Sequence, residues 1–264
     1  MGRAKTEVRR LYRTSQAREM ARLAVRHSQT VLGHALDQWP PICSGISMAA
    51  AKKNLSTEPL VPSSATLAQL RDLAQECKAC ELYRNATQAV FGEGPSAARI
   101  VMVGEQPGDK EDLAGKPFVG PAGSLLNRAL EDAGIDRADV YITNAVKHFK
   151  FEERGKRRIH KKPSDSEITA CRPWLDAELA RIQPEVIVCL GATAARAVLG
   201  KQHRVLRDRG RFFEHPTAKS VTATLHPSAI LRAPDPKQRR ADYETFVKDL
   251  KGVRQKLEKV ARAR

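Results

Sequence analysis

Residues from about 65 onward predict an α/β fold with a central, mostly parallel sheet flanked by helices. Four short apolar runs rich in β-branched residues, Ile100–Val103, Val140–Ile142, Val186–Leu190 and Val221–Leu225, have the length and composition of buried strands. Helical patterns separate them, and strands alternating with helices build parallel sheets. Two loops that follow such runs, Gly104–Asp109 and His226–Arg232, pair ionisable side chains with stiff turns. They stand at the carboxyl ends of strands, where sheets of this kind bind ligands.

Taken in order, residues 1–62 read as an extension. Arg3, Lys5, Arg9, Arg10 and Arg13 lead into a helical pattern from Thr14 to Leu36, followed by Pro40-Pro41, Lys52-Lys53-Asn54 and the segment Pro59–Ser64, which has linker composition. A basic disordered extension is expected, and Met48 offers an alternative start downstream. A single domain is expected over 63–254, with a basic tail over 255–264. It opens with a helix carrying Leu67, Leu70, Leu73 and Ala74 at helical spacing, closed by the pair Cys77 and Cys80. A second helix is expected from about Pro121 to Ala133, with Leu125, Leu126, Ala129 and Leu130 on one side and Gly134 ending it in the left-handed conformation. Ser164 and Glu167 form a capping box for a third, which runs to about Ile182 before Pro184.

Composition narrows the function. The 264 residues include 46 Lys and Arg against 30 Asp and Glu, a net charge of +16, which suits a polyanionic partner. No apolar run is long enough to span a membrane and no secretory signal pattern opens the chain, so a cytoplasmic protein is expected. Five cysteines, an odd number without an export signal, argue for metal binding, catalysis or core packing over a disulfide framework.

Gly104-Glu105-Gln106-Pro107-Gly108-Asp109 is not a dinucleotide fingerprint: the glycine spacing is wrong, and Pro107 removes a backbone donor that a phosphate cradle would use. Alone it is equally a Gly/Pro turn with solvated acids. With Lys116-Pro117-Phe118-Val119-Gly120, Asn144 and His226-Pro227-Ser228-Ala229-Ile230-Leu231-Arg232 in the same order, the chain resembles the family 4, iron-sulfur uracil-DNA glycosylases over about residues 65–250.

That resemblance implies the α/β/α sandwich of the uracil-DNA glycosylases and a pocket for a flipped-out uracil. In it Phe118 stacks on the base, Asn144 reads its polar edge and His226 reaches O2. Extrusion is what chemistry on a base requires, and stacking with edge hydrogen bonds repays part of the unstacking. Bond breaking puts negative charge on the base and positive charge on the sugar, which His226 and a carboxylate, Glu105 or Asp109, would stabilise. The resemblance also implies four ligands for a 4Fe-4S cluster. Cys77, Cys80 and Cys171 match, but the fourth position is His148 where the family has cysteine; imidazole can replace thiolate at iron, as in Rieske centres. Spacing alone equally permits a Cys3His zinc site. Cys189 reads as a small buried hydrophobe, and Cys43 has no role assigned.

Between His148 and Cys171 an additional segment, Gly155-Lys156-Arg157-Arg158-Ile159-His160-Lys161-Lys162, resembles the K-R-R-I-H loop of the UdgX-type subgroup, and Gln106 matches that subgroup too. The subgroup implies that His160 bonds to the sugar carbon left by uracil. Surrounding cations would keep the ring neutral and nucleophilic, with Glu105 orienting it. Lys156, Arg157, Arg158 and Arg232 are expected to contact DNA. The expected partner is uracil-containing DNA, single-stranded as well as duplex, bound by a monomer. Three other readings stand beside this one: a turnover glycosylase using water activated by Asp109 or Glu105, a noncatalytic iron-sulfur DNA-binding module, and a free-nucleotide binder, which the absent phosphate loop disfavours.

Overall fold

The structure, a computed structural model, describes residues 61–262. The helical pattern Thr14–Leu36, Cys43 and Met48 lie outside them. Five strands form one sheet: β1 (Ile100–Gly104), β2 (Val140–Asn144), β5 (Val186–Leu190), β6 (Phe212–His215) and β7 (Ala218–Thr224), in the order β2-β1-β5-β7-β6. All neighbours are parallel except the edge pair β6–β7. The four expected strands are present, and β6 adds an antiparallel edge. Two more strands, β3 (Phe151–Arg154) and β4 (Arg157–His160), form a separate hairpin where the sequence pattern predicts only a basic loop.

Both faces of the sheet are covered, which explains the uninterrupted apolar runs. Side chains alternate: Val101, Val103, Tyr141, Ile187 and Cys189 enter one core. Ile100, Met102, Val140, Ile142, Val186, Val188 and Leu190 enter the other. The first core is closed by α1 (Leu67–Gln75), α4 (Asp165–Ile182) and α5 (Gly191–Leu199). The second is closed by α3 (Pro121–Ala133) and α8 (Pro236–Arg262). Between them in the chain come the short helices α2 (Asp109–Ala114), α6 (Val205–Asp208) and α7 (Pro227–Leu231). The expected caps are present: Ser164 and Glu167 exchange hydrogen bonds at the start of α4, and Gly134 ends α3 at φ 68°. The expected tail over 255–264 needs correction, because α8 continues to Arg262 and Leu257 is buried in the second core. A sequence rich in Lys and Arg hides that apolar stripe.

One polar feature lies inside the first core. The side chains of Lys147 and Glu178 are 1% and 0% exposed and meet at 2.6 Å. Lys147 Nζ also donates to Thr143 Oγ1 at 2.7 Å and to the Asn144 carbonyl at 2.9 Å. Glu178 accepts from the Gly92 amide at 2.9 Å and the Tyr141 hydroxyl at 3.0 Å. Gly92 has no room for a side chain, since a Cβ there would collide with Tyr141 and Glu178. Removing one member of such a pair strands a buried charge, so Lys147→Met alone is expected to lower stability by about 3–5 kcal/mol in denaturant unfolding.

Candidate active site

The carboxyl ends of β1, β2 and β7 converge on a cavity of about 130 Å³ lined by Gln106, Phe118, Asn144, His160, His226 and Arg232, with Glu111 and Ser228 among its walls. A cavity of about 150 Å³ accepts one benzene ring, so a single planar ring is the right scale of ligand. Asn144, at the end of β2, is 2% exposed, and its Oδ1 has no hydrogen-bond partner among the described residues. Leaving such an acceptor unpaired costs about 1–3 kcal/mol, which a ligand bearing an N–H would recover. Gly104 lies opposite it across the β1–β2 ladder. A Cβ there would strike both the Asn144 amide and the Phe118 ring.

Phe118 adopts φ 57°, a left-handed conformation costly for a residue with a large side chain. It is held because its carbonyl packs on Gly123, the position in α3 where any side chain would overlap it. The Phe118 and His226 rings stand 6.0 Å apart, tilted by 30°. His226 caps α7, and its Nδ1 accepts from the Ser228 amide at 3.1 Å. Ser228 Oγ lies 2.7 Å from the same nitrogen. A nitrogen that accepts an amide proton carries none, so the neutral ring bears its proton on Nε2 and is a donor there. Burial pushes the His226 pKa down to about 4, with Arg232 and His160 adding to the effect, so the ring is neutral near pH 7.

Glu105 follows β1. Its carboxylate accepts a hydrogen bond from Thr193 at the start of α5 and lies 3.5 Å from His160 Nε2. His160 ends β4, its side chain 46% exposed. Its pKa is lowered chiefly by burial; Glu105 opposes this and Arg232 adds to it. The lysines and arginines adjacent in sequence are not the cause, which corrects the expectation that a crowd of cations does this.

A two-stranded hairpin is marginal on its own, and two anchors hold this one. Gln106, expected as a catalytic residue, donates from Nε2 to the carbonyls of Lys150 and Lys161, both at 3.1 Å, and accepts from the Lys150 amide at 3.2 Å. Its amide therefore ties both ends of the hairpin to the β1 loop. Arg158, expected on DNA, instead bonds Asp109 at 2.5 Å and Asp112 at 2.6 Å, with Phe149 and Phe151 beneath its guanidinium. Asp112 is fully buried and also accepts from Thr87. Asp109, expected near the sugar, is thus engaged by Arg158. Lys156, Arg157 and Arg232 are exposed. Glu111, which no sequence motif singles out, lines the cavity and accepts from the Gly120 amide at 2.8 Å, joining α2 to the Phe118 loop.

Cys77, Cys80 and Cys171 lie close enough for each charge to act on another. The buried Cys77 Sγ accepts from Trp174 Nε1 at 3.2 Å, and the buried Cys171 Sγ from the Lys147 amide at 3.1 Å. Burial pushes the Cys171 thiol up to about 12 and raises Cys80, so ionising them calls for nearby positive charge, which metal atoms supply. His148 is buried and pushed down to about 4 by desolvation, giving the neutral imidazole that ligation requires. Among the described residues, no three His, Cys, Asp or Glu side chains converge as the shell of a single ion. N–H groups donate to the sulfurs of Cys77 and Cys171, the kind of contact that cluster-ligating thiolates receive.

Residues 91–251 match the family model for the Uracil DNA glycosylase superfamily. The chain belongs to this superfamily. Its relatives include a type-4 uracil-DNA glycosylase from Thermotoga maritima, 42% identical over 175 residues that cover 66% of this chain and 88% of the relative. Others from Archaeoglobus fulgidus and Pyrobaculum aerophilum, carrying the same type-4 name, are each 37% identical. The first covers 69% of this chain and 91% of the relative, the second 64% and 86%. This places the chain with the type-4 proteins. The matched span contains every cavity residue named above and begins after Cys77 and Cys80.

Two outcomes follow. Replacing Gln106 by Ala should speed amide hydrogen exchange across Phe151–His160 while exchange in β1 and β5 is unchanged. His226 has a folded-state pKa of about 4 against an ordinary 6.5. Stability linked to its neutral form is therefore complete above pH 6.5 and is lost as pH falls toward about 4. Unfolding measured against pH should show a shallower acid slope in His226→Gln.

Proposed function

We propose that this protein excises uracil from DNA and then bonds to the resulting abasic sugar through His160. The observation that carries the reading is the His160 ring facing Glu105 at 3.5 Å in the wall of a cavity that also holds Phe118, Asn144 and His226. A uracil ring fits between these groups: Phe118 stacks, the unpaired Asn144 acceptor takes the base N–H, and the His226 Nε2–H meets a carbonyl. The C1′–N1 bond breaks with its electron pair leaving on the base, where the neutral His226 donor stabilises the charge. The cation left at C1′ faces the Glu105 carboxylate and is captured by the lone-pair nitrogen of His160. The new N–C bond leaves a charged ring, which becomes neutral by releasing its remaining N–H proton. Lys156, Arg157 and Arg232 are the exposed cations suited to the phosphates on either side.

The three cysteines with His148 would hold a 4Fe-4S cluster. Its contribution here is structural, through Cys171 and the loop that follows β2. Purified protein should be brown, with about four irons and four sulfides per chain; a colourless, zinc-loaded protein would remove this assignment.

Incubation with a uracil-containing single strand, followed by a denaturing gel, tests the central reading. Wild type should give a heat- and detergent-stable shifted band that His160→Ala loses. Free abasic DNA without a shifted band would instead identify a turnover glycosylase. Lowering the pH through the depressed pKa of His160 should suppress the adduct before base release fails, because protonation removes the ring's nucleophilic lone pair.

A further inference from the structure

From the buried contacts of Lys147 we infer that the Lys147–Glu178 pair is a positioning device for Asn144, setting where its amide meets the base. The inference rests on the reading of Asn144 as the base-reading group. Asn144 lies at the last position of β2, where the strand gives way to the 145–150 loop, and its ladder partner Gly104 is a glycine. Strand pairing holds the peptide from one side only. On the other side, the Asn144 carbonyl receives Lys147 Nζ at 2.9 Å. The same ammonium binds Glu178 Oε2 at 2.6 Å and Thr143 Oγ1 at 2.7 Å.

Glu178 itself is fixed. Its Oε1 accepts from the Gly92 amide, the Tyr141 hydroxyl and Thr143 Oγ1 at 2.9, 3.0 and 3.0 Å. The anchor is α4, which grips the loop twice from one face. Cys171 and Glu178 are two turns apart on that helix. Cys171 Sγ takes the Lys147 backbone amide, and Glu178 takes its side chain. Lys147 is thereby held at both ends, with the Asn144 peptide under its ammonium. A buried ion pair is a poor device for stability alone, since well-packed apolar residues commonly do as well. It is a good device for location, because an ammonium with three fixed acceptors admits one geometry.

This separation of location from stability provides the test. Lys147→Met with Glu178→Gln removes both charges together. The Gln keeps an oxygen for the Gly92 amide and Tyr141, so the fold is retained while the grip on the Asn144 carbonyl is lost. Wild type, Asn144→Ala and this paired variant are compared on a uracil-containing single strand. The readouts are single-turnover base release, the protein concentration giving half the maximal rate, and inhibition by free uracil. Displacing a reacting group by about 1 Å can lower a rate about 100-fold. The paired variant should release base at least tenfold more slowly at saturation and bind free uracil at least tenfold more weakly. Its half-saturating concentration should stay within twofold of wild type, because the phosphate contacts are untouched. Wild-type rate and uracil inhibition in the paired variant, with Asn144→Ala inactive, would overturn the inference and leave the pocket reading intact. An Asn144→Ala protein as active as wild type would overturn both. Should the first pair fail to fold, Lys147→Leu with Glu178→Met repeats the comparison, and wild-type behaviour there overturns the inference equally.

Discussion

A lysine ammonium buried in an apolar core has to be neutralised and hydrogen-bonded, and how Lys147 meets that demand organises much of this molecule. Two of its acceptors come from the end of β2 and the third from α4, while Lys147 itself stands in the loop that follows β2. Satisfying them locks the helix to the sheet at the end where the cavity opens. The backbone of the same residue binds Cys171, and its carbonyl receives the Val90 amide at 2.8 Å. The cysteine site and the ring-sized cavity are therefore neighbours through one residue. Disturbance of the thiols should be felt in the loop that carries Asn144 more directly than anywhere else on the sheet.

The sheet and its covering helices were largely legible, because their signals are local. Pro121 at the first position of α3 and Gly134 after it announce that helix, and Ser164 with Glu167 announce α4. The parallel strands declare themselves by apolar runs that need no partner to be recognised. The β3–β4 hairpin was not legible. Phe151–Arg154 and Arg157–His160 are mostly charged and lack the apolar alternation that marks a half-buried strand. Only Gly155, at φ 59° in the turn, is a local clue. What makes strands of them is distant: Gln106 at one end and the Asp109 and Asp112 carboxylates on Arg158.

The site shows the same division. Phe118, Asn144, His160 and His226 line one cavity, as the order of their motifs suggested. Neighbouring polar residues in those motifs proved harder to read, because sequence shows which group is present and not which way it turns. Gln106 and Arg158 look like reactive or DNA-facing groups in the one-dimensional pattern, yet both hold the hairpin. Glu178 sits 31 residues from Lys147 inside a helix, and no spacing rule connects them.

Chemically, burial lowers the pKa of both histidines, and their different partners give them different work. His226 is half-buried, and Ser228 fixes its tautomer, which leaves a donor with no lone pair free for attack. His160 is half exposed on an anchored hairpin and faces a carboxylate that Thr193 holds in place. A positive centre forming on the proposed substrate would be drawn to Glu105, and the ring already standing beside Glu105 would be its nearest nucleophile. Water could compete only by entering between them. On the proposed reading, retention of the product would follow from where Gln106 and Arg158 hold the hairpin: the contacts that make β3 and β4 a structure also hold the His160 ring beside Glu105.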